Sequence, residues 1–355
     1  MENYKYEIDL PRVSVLHAGD KGKVNPLNRI LEELLGNDMN NFEQTLELAL
    51  EPQSKYLSDT ERQIYKRGKK IRPIMLFLSA RLLLGDQELS HKITKASVSL
   101  EMLHVATLIH DDIIDDALVR RGLISVNAKR GTNAAILVGD LQFVQAIRTF
   151  VDAVETDSEM GMVKMVLDTA FNICAGELDE LETNPNWDLV ALRQRYFDVI
   201  ERKTAIMFGL ACETGMSLAK SRTGEARRLG FYGRRVGRAF QIMDDLFDFL
   251  QDEKDSGKQL GIDLVRRRLT LPIIYAMEEL GSSHSVSRII RGEINAPDDL
   301  TEEIKAIKST LAIERSYADA RHEALDALEY LKHFEKNVYR DALEEIALYT
   351  VDRKI

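Results

Sequence analysis

Apolar residues recur at three- and four-residue spacing along most of this chain, which is the period of an α-helix. Segments 73–84 and 97–114 are apolar on several faces, so we expect buried helices there. Further helical stretches are predicted at 27–50, 133–153, 160–183, 188–217, 223–252 and 270–281, with two or three amphipathic helices over 300–352. No alternating strand of useful length competes, and only seven prolines interrupt the pattern. The pattern predicts an all-α fold.

The breaks between these stretches have the composition of turns but not the length of a linker between domains. Examples are "TNPN" at 183–186 and "KDSGKQLG" at 254–261. We therefore predict one helical domain over residues 26–355, an antiparallel bundle with its central helices enclosed by the others. Residues 1–25 form an amino-terminal extension of unknown role.

The composition narrows the class of protein. Hydrophobic residues make up 45% of the chain and charged residues 30%, as in soluble globular proteins. The net charge is −10 and no basic run contains interleaved aromatic residues, so nucleic acid is not an expected partner. Two cysteines, Cys174 and Cys212, indicate a reducing compartment. With no signal pattern and no run of roughly 18–20 apolar residues, we expect a cytoplasmic protein without a membrane span.

Two aspartate motifs of the form DDxxD lie in apolar helical segments. They comprise Asp111, Asp112 and Asp115, and Asp244, Asp245 and Asp248. The first and last aspartates of each motif share a helix face, so their carboxylates repel each other unless a cation lies between them. Oxygen ligands without histidine or cysteine favour Mg²⁺, which completes its coordination with water and phosphate oxygens. The alternative of two solvated acidic faces is disfavoured by the apolar flanks "ATLI" and "FQIM".

Basic residues that suit phosphate binding occur at two places. Arg120 and Arg121 follow the first motif, and Lys69, Lys70 and Arg72 surround the start of an apolar helix. Either cluster alone would be ordinary surface solvation. Together with the aspartates they predict two anionic groups, one held through metal and one held directly. Other polar candidates for the same cavity are His104, Lys203, Thr204, Gln241 and Lys258.

The motifs resemble those of the trans-isoprenyl diphosphate synthases over about residues 60–275. The segments that carry the resemblance are "GKKIRP", "EMLHVATLIHDDIID" with "RRG", "NAAILVGD", "GELDEL", "KTA", "YGRRVGRAFQIMDDLFDF" and "GKQLGIDL" followed by "TLP". The resemblance implies antiparallel helices around a deep central cavity, usually in a homodimer. It also implies a Mg²⁺-dependent, head-to-tail condensation of isopentenyl diphosphate with an allylic diphosphate.

The resemblance assigns roles by position. The six aspartates would hold about three Mg²⁺ ions per active site, which bridge the allylic diphosphate. The implied contacts of isopentenyl diphosphate are Lys69, Arg72, His104 and Arg121. The implied contacts of the allylic diphosphate are Arg120, Lys203, Thr204, Gln241 and Lys258. The implied catalytic residues are Asp111, Asp112, Asp115, Lys203, Asp244 and Asp245, and the released pyrophosphate would take the proton.

Product length is expected to depend on residues one turn before Asp111. Ala106 and Thr107 are small, whereas short-chain members of the family typically carry a bulky aromatic residue there. This favours a medium- or long-chain all-trans product, as made by octaprenyl and solanesyl diphosphate synthases. Met162 and Met165 on a facing helix could form a lower floor, so a geranylgeranyl or farnesyl product stays open.

Some positions depart from the family pattern. Leu123 stands where a lysine is usual, and Arg267–Arg268 replace the common Gly-Lys before "TLP". These differences concern substrate preference rather than the metal ligands. Two other functions stay open. A class I terpene cyclase would carry an Asn/Ser/Glu motif in place of the second DDxxD, and a non-catalytic subunit of a heteromeric prenyl synthase would tend to lose these aspartates or arginines.

Overall fold

The computed structural model describes residues 25–120, 122–250 and 260–352. The first half of this part contains the helices α1 (Pro26–Arg29), α2 (Gly36–Leu50), α3 (Asp59–Lys66), α4 (Ile71–Leu84), α5 (His91–Ile114), α6 (Val126–Arg130), α7 (Thr132–Val151) and α8 (Met160–Leu181). The second half contains α9 (Leu189–Ile200), α10 (Ile206–Leu218), α11 (Thr223–Leu250), α12 (Ile262–Val265), α13 (Leu271–Leu280), α14 (Ser285–Ile290), α15 (Thr301–Ser309), α16 (Ala312–Leu331) and α17 (Val338–Asp352). The predicted all-α fold is confirmed.

Local sequence explains where several of these helices begin. Ser58 and Glu61 form a capping box at the start of α3, in which each residue's side chain accepts a hydrogen bond from the other's backbone amide. Asp188 caps α9 through a 2.9 Å hydrogen bond from the amide of Ala191. The segments predicted to be buried correspond to α4 and α5, which contribute a large share of the core. Side-chain caps therefore explain the starts of α3 and α9.

The centre of the molecule is built from α4, α5, α7, α10 and α11. Helix α5 packs along α7, while α10 packs against both α4 and α11. The amino-terminal half of α11 contributes Leu229 and Tyr232 to one hydrophobic cluster, and its carboxyl-terminal half contributes Ile242 and Leu246 to a second. Helix α11 therefore connects the two clusters and carries the second aspartate motif in the half that contributes to the second cluster.

Two π turns and two short strands depart from the simple helical prediction. The stretch predicted as one helix over 188–217 is interrupted by a π-helical turn, Glu201–Ala205, and a second π turn spans Ile30–Leu34. Two-residue strands β1 (Val119–Arg120) and β2 (Leu123–Ile124) pair antiparallel beyond the first aspartate motif. They are too short to show an alternating pattern. The hairpin places Arg120 back against the helix end that carries the aspartates.

Helix α7 qualifies the expectation that no segment resembles a membrane span. Thr132–Val151 is long and apolar enough to cross a membrane, judged by length and composition alone. Of its most apolar window, 44% is buried within the protein, where α7 packs on α5. Core helices of soluble proteins commonly pass the same test, so this finding is weak evidence for a membrane span.

Candidate active site

The first aspartate motif lies at the carboxyl-terminal end of α5. Asp115 is the residue after the last helical turn, and its amide donates a 2.8 Å hydrogen bond to the carbonyl of Asp111. The two residues therefore keep the helical i, i+4 relation that the sequence predicts. Burial raises the pKa of Asp111 to about 7, while the positive charge of Lys203 acts in the opposite direction.

Asp112 is fully buried beside Asp111. Its Oδ1 accepts a 2.6 Å hydrogen bond from Nε of Arg120, which returns from strand β1. Burial raises the pKa of the Asp112 carboxyl, and the hydrogen bond from Arg120 partly offsets that effect. Asp112 Oδ2 is buried without a hydrogen-bond partner among the described residues. A buried carboxylate oxygen of this kind is costly unless a cation or a donor reaches it.

The second aspartate motif lies near the carboxyl-terminal end of α11. Asp245 is buried, and its two oxygens accept hydrogen bonds from Tyr196 Oη at 2.6 Å and from Gln241 Nε2 at 2.9 Å. Burial raises the pKa of Asp245 to about 7 despite these two donors. Asp244 is exposed, and Asp248 accepts backbone amide hydrogen bonds from Ile262 and Asp263. Asp248 thereby fixes the start of α12.

Lys203 and the residues around it connect the two motifs. Its ammonium pairs with Glu177 Oε2 at 2.5 Å and with Glu180, both on α8. Burial alone would lower the pKa of Lys203, but Glu180, Glu177 and Asp111 together raise it above its ordinary value. The negative charge of Glu180 also raises the pKa of Asp245. Lys203 therefore acts on the first motif and its partner Glu180 acts on the second, so their ion pair links the two motifs electrostatically.

The predicted allylic contacts that the structure describes are close neighbours. Thr204 donates a 2.8 Å hydrogen bond to Gln241 Oε1, and the amide of Gln241 donates to Asp245. Lys203 precedes Thr204 in the same π turn. Arg120 lies against Asp112 on the other side of the site. Lys258, the last residue of this set, is outside the described residues.

The predicted isopentenyl diphosphate contacts lie on two adjoining helices. Lys69 lies two residues before the start of α4 and Arg72 lies in its first turn, with the guanidinium carbon 4.8 Å from the centre of the Phe208 ring. His104 lies on α5, one turn beyond Glu101. Glu101 pairs with Lys70 at 3.2 Å and so joins the start of α4 to α5. Lys70 is thus a buried structural residue, and Arg121 is outside the described residues.

The proposed determinants of product length occupy the same helix. Ala106 is completely buried, and Thr107 is partly buried with its hydroxyl donating to the carbonyl of His104 at 2.8 Å. Met162 is buried on α8, and Met165 packs against the same hydrophobic cluster. The geometry therefore agrees with an apolar wall at these positions and leaves the product length open.

Several residues of the site were not identified from the sequence. Glu177 and Glu180 belong to the "GELDEL" segment, whose spacing of three residues is a recognisable helix face, but nothing in it indicates pairing with Lys203. Arg268 contacts Asp115, and Arg266 Nη1 lies 3.3 Å from the same carboxylate. The only sequence signal for these two arginines was the departure from the family pattern at Arg267–Arg268. No sequence signal indicated Tyr196, which donates a hydrogen bond to Asp245.

The side chains of the two motifs offer only carboxylate oxygens as metal ligands, the type of ligand that Mg²⁺ prefers. Among the described residues, no group of three or more carboxylate, histidine or cysteine side chains converges on one point. Mg²⁺ does not require such a cage, because it commonly takes one or two carboxylates and completes its coordination with water and phosphate. Asp112 Oδ2, buried without a hydrogen-bond partner among the described residues, is a further oxygen that a cation or donor would satisfy. The residues therefore fit Mg²⁺ bound together with a phosphorylated ligand.

Comparisons with known proteins identify the family. Residues 54–308 match the family described as polyprenyl synthetase. The chain is 30% identical over 322 residues to heptaprenyl diphosphate synthase component 2 of Geobacillus stearothermophilus, which covers 90% of this chain and 97% of that protein. It is 31% identical over 300 residues to a short chain isoprenyl diphosphate synthase of Methanothermobacter thermautotrophicus, which covers 84% of this chain and 90% of that protein.

The fold has a close counterpart among solved structures. A polyprenyl synthase of Caulobacter crescentus, crystallised with calcium and isoprenyl diphosphate, superposes with a TM-score of 0.82 at 26% sequence identity. The superposition covers 93% of this chain and 98% of that one. The matched family segment contains both aspartate motifs, Lys203 and the arginines that reach Asp115. The chain therefore belongs to the polyprenyl synthetase family and is a prenyltransferase.

Proposed function

We propose that the enzyme condenses isopentenyl diphosphate head-to-tail with an allylic diphosphate in a Mg²⁺-dependent reaction. The observation that carries this proposal is the ion pair between Lys203 and Glu180. Lys203 acts on Asp111 of the first aspartate motif, and Glu180 acts on Asp245 of the second. The Caulobacter crescentus polyprenyl synthase was crystallised with calcium and isoprenyl diphosphate, which supports the binding of a divalent metal and a diphosphate by this chain. The metal ligands would be Asp111, Asp112, Asp115, Asp244, Asp245 and Asp248, holding about three ions.

The chain's own residues would act on the leaving diphosphate. Bound Mg²⁺ would supply positive charge that offsets the charge developing on the diphosphate as the carbon–oxygen bond breaks. Lys203 stays protonated because its carboxylate neighbours raise its pKa, so it can donate hydrogen bonds to the same group. Thr204 and Gln241 would orient the diphosphate through their hydrogen-bonded pair. The apolar wall of α5 would exclude water from the allylic cation.

Isopentenyl diphosphate would bind at the start of α4. Lys69, Arg72, Arg121 and His104 would hold its diphosphate directly, which leaves the metal to the allylic substrate. The double bond then attacks the allylic carbon, and the departing pyrophosphate takes the proton that is lost. The ion pair between Lys70 and Glu101 supports a separate isopentenyl diphosphate site, because it joins the start of α4 to α5, the helix of His104.

The product is of medium or long chain. Ala106 and Thr107 place no bulky side chain on this turn of α5, and the Geobacillus stearothermophilus relative is named for a heptaprenyl product. The relative named for short chains is equally similar in sequence, so geranylgeranyl or farnesyl diphosphate is the alternative product. The second DDxxD motif and the family match favour these products over terpene cyclisation.

A product assay tests the proposal. The purified protein would be incubated with Mg²⁺, labelled isopentenyl diphosphate and, separately, dimethylallyl, geranyl, farnesyl and geranylgeranyl diphosphates. Products longer than geranylgeranyl are expected after dephosphorylation and sizing. A stop at farnesyl or geranylgeranyl would keep the reaction and reject the length. No incorporation with any primer, or incorporation that survives complete chelation of divalent metal, would reject the proposed reaction.

A second candidate concerns the form in which the enzyme acts. The Geobacillus stearothermophilus relative has a name that designates one component of a synthase, so this chain could serve as the catalytic component of a hetero-oligomer. The intact aspartate motifs argue against a non-catalytic role. Activity of the purified chain alone, at a rate unaffected by added cell extract, would favour the self-sufficient enzyme.

We infer that the self-sufficient form is a homodimer in the cytoplasm. Helices α7 and α8 each present a stripe of exposed apolar residues. The largest of these are Leu137, Val144, Leu167, Phe171, Leu178 and Leu181. Exposed apolar surface of this extent commonly marks an interface with another protein. The two cysteines are unpaired, which agrees with a reducing compartment.

A further inference from the structure

The π turn at Glu201–Ala205 lies where α9 continues into α10. The amide of Ile206 donates a hydrogen bond to the carbonyl of Glu201, five residues earlier, in place of the four-residue spacing of an α-helix. Such a turn accommodates one extra residue and occurs frequently at functional sites within long helices. In this protein it contains Lys203 and Thr204, so its conformation decides where both side chains point.

The two functional side chains of the turn face different helices. Lys203 reaches Glu177 and Glu180 on α8, whereas Thr204 donates its hydroxyl hydrogen bond to Gln241 on α11. A small rotation of the turn would move both groups relative to Asp111 and Asp245. Something must therefore fix the turn between α8 and α11.

Glu201, the first residue of the turn, is held by two arginines. Arg234 Nη1 donates to Oε1 of Glu201 at 2.5 Å, and Arg238 Nε donates to Oε2 at 2.6 Å. The arginines are four residues apart on α11 and therefore lie on one face of that helix. Each carboxylate oxygen has its own charged donor, and Glu201 is only 19% exposed. This geometry is more restrictive than that of an isolated surface ion pair.

Two glycines allow the neighbouring helices to approach the turn. A Cβ atom on Gly176 of α8 would lie 2.8 Å from Cβ of Arg202 and 3.2 Å from the amide nitrogen of Lys203. A Cβ atom on Gly237 of α11 would lie 2.6 Å from Cα of Ala205. The turn is thus enclosed on both sides, and the Glu201 contacts fix its remaining freedom along α11.

We propose that Glu201, held by Arg234 and Arg238, is a positioning residue for the allylic diphosphate site. It fixes the π turn that presents Lys203 to the aspartates and Thr204 to Gln241. This inference rests on the proposed function of Lys203 and Thr204. Glu201 acts through these neighbours, and its carboxylate is already occupied by the two arginines.

The test compares Glu201→Gln with Arg235→Gln. Arg235 lies on the same helix and also donates two hydrogen bonds to one carboxylate, at 2.9 and 2.8 Å, but that carboxylate belongs to Glu323 on α16, which lies a longer 3.6 Å from Arg238. Glu201→Gln removes the charge that pairs with two arginines, and Arg235→Gln removes the charge that pairs with Glu323 and Asp326, so a general loss of stability would appear in both variants. Arg234→Gln is a milder second variant, because it leaves the Arg238–Glu201 contact in place.

Steady-state kinetics give the first result. We expect Glu201→Gln to lower kcat and raise the KM for the allylic diphosphate, with a combined loss in kcat/KM of about tenfold, equivalent to about 1.4 kcal/mol. The KM for isopentenyl diphosphate should stay at the wild-type value, since Arg72 lies on α4 and Lys69 just before it. Arg234→Gln should show a smaller loss of the same kind, and Arg235→Gln should match the wild type.

Hydrogen exchange of the amides in residues 201–206 gives a second result that does not depend on turnover. Faster exchange in Glu201→Gln, with wild-type exchange in Arg235→Gln, is expected. Equal behaviour of the two variants, or a parallel change in the KM values of both substrates, would overturn the proposal. If the wild-type protein shows no condensation, the proposed function fails, and the exchange experiment still decides whether Glu201 fixes the turn.

Discussion

Lys203 is the residue on which most of the site's electrostatics converge. Its ammonium lies between Glu177 and Glu180 and acts on Asp111 across the cavity. Replacing it in Lys203→Gln removes a charged donor from the place where negative charge develops on the diphosphate. We expect kcat to fall by about 100-fold, the loss typical of removing one such donor. The measurement is the initial rate of isopentenyl incorporation at saturating substrates.

The matched control for this prediction is Lys92→Gln. Lys92 also pairs with two glutamates, Glu155 and Glu159, but at a position away from the aspartates. The control should keep the wild-type kcat. A Lys203→Gln enzyme with kcat within twofold of the wild type would contradict the role assigned to this lysine.

Arg267 has a strained backbone conformation. Its φ of +54° lies in the left-handed region, where a side chain is unfavourable by about 1–2 kcal/mol and glycine is not. The Arg267→Gly variant should therefore gain about 1 kcal/mol of unfolding free energy, less what is lost with the 3.1 Å contact to Asn295. Chemical denaturation would measure the change.

Arg288→Gly is the control for the backbone argument. Arg288 lies inside α14, where glycine costs roughly 1 kcal/mol relative to ordinary residues. The same chemical substitution should thus stabilise the protein at position 267 and destabilise it at position 288. Destabilisation at both positions would show that the Arg267 side chain contributes more than its backbone strain.

At the scale of elements, α5 combines the first aspartate motif with the proposed wall of the product cavity. Thr107 is partly buried one turn before Asp111, and its hydroxyl is bonded within the helix. A Thr107→Phe substitution should add bulk to the cavity and shorten the product to farnesyl or geranylgeranyl diphosphate. Sizing of the dephosphorylated products would measure this, with Thr107→Val as a control of similar volume that should keep the product length. An unchanged length in Thr107→Phe would place the floor on another helix, with Met162 the first residue to test.

Helices were predictable from the sequence, whereas the two features that shape the site were not. The period of the apolar residues gave α4 and α5, because burial of a helix face is encoded in spacing. The π turn at Glu201–Ala205 was missed, since it differs from an α-helix by one hydrogen-bond register and keeps nearly the same pattern. Strands β1 and β2 were missed because two residues cannot show alternation.

At the scale of the whole molecule, folding brings together charges that are far apart in the sequence. Arg268 contacts Asp115 across more than a hundred positions, and Lys203 pairs with glutamates on another helix. The sequence predicted the residue types, because paired aspartates and nearby arginines imply a metal and a phosphate. It could not predict which arginine or lysine pairs with which aspartate, because several of these side chains have the same charge and similar reach. The roles of Arg121 and Lys258 stay predictions, because both residues lie outside the described part of the chain.

The exposed apolar stripes on α7 and α8 lead to a prediction about assembly. Phe171 is 73% exposed and Leu137 is 68% exposed, although both are large apolar residues. In a symmetric dimer each substitution occurs twice in the same interface. Phe171→Glu or Leu137→Glu would therefore bury two unpaired carboxylates there, away from water, which is strongly unfavourable. We expect a dimer for the wild type and a monomer of 40.4 kDa for either variant, as measured by light scattering after size-exclusion chromatography.

Leu48→Glu is the control, because Leu48 is 65% exposed on α2, outside both stripes, and should leave the dimer intact. A wild-type monomer would reject the homodimer. The exposed apolar stripes would then bind either a membrane surface or a second, different polypeptide. Binding of that monomer to phospholipid vesicles, abolished by Leu137→Glu, would assign α7 to a membrane surface. Restoration of activity by a second polypeptide would instead assign the stripes to a heteromeric synthase, consistent with the name of the Geobacillus stearothermophilus relative.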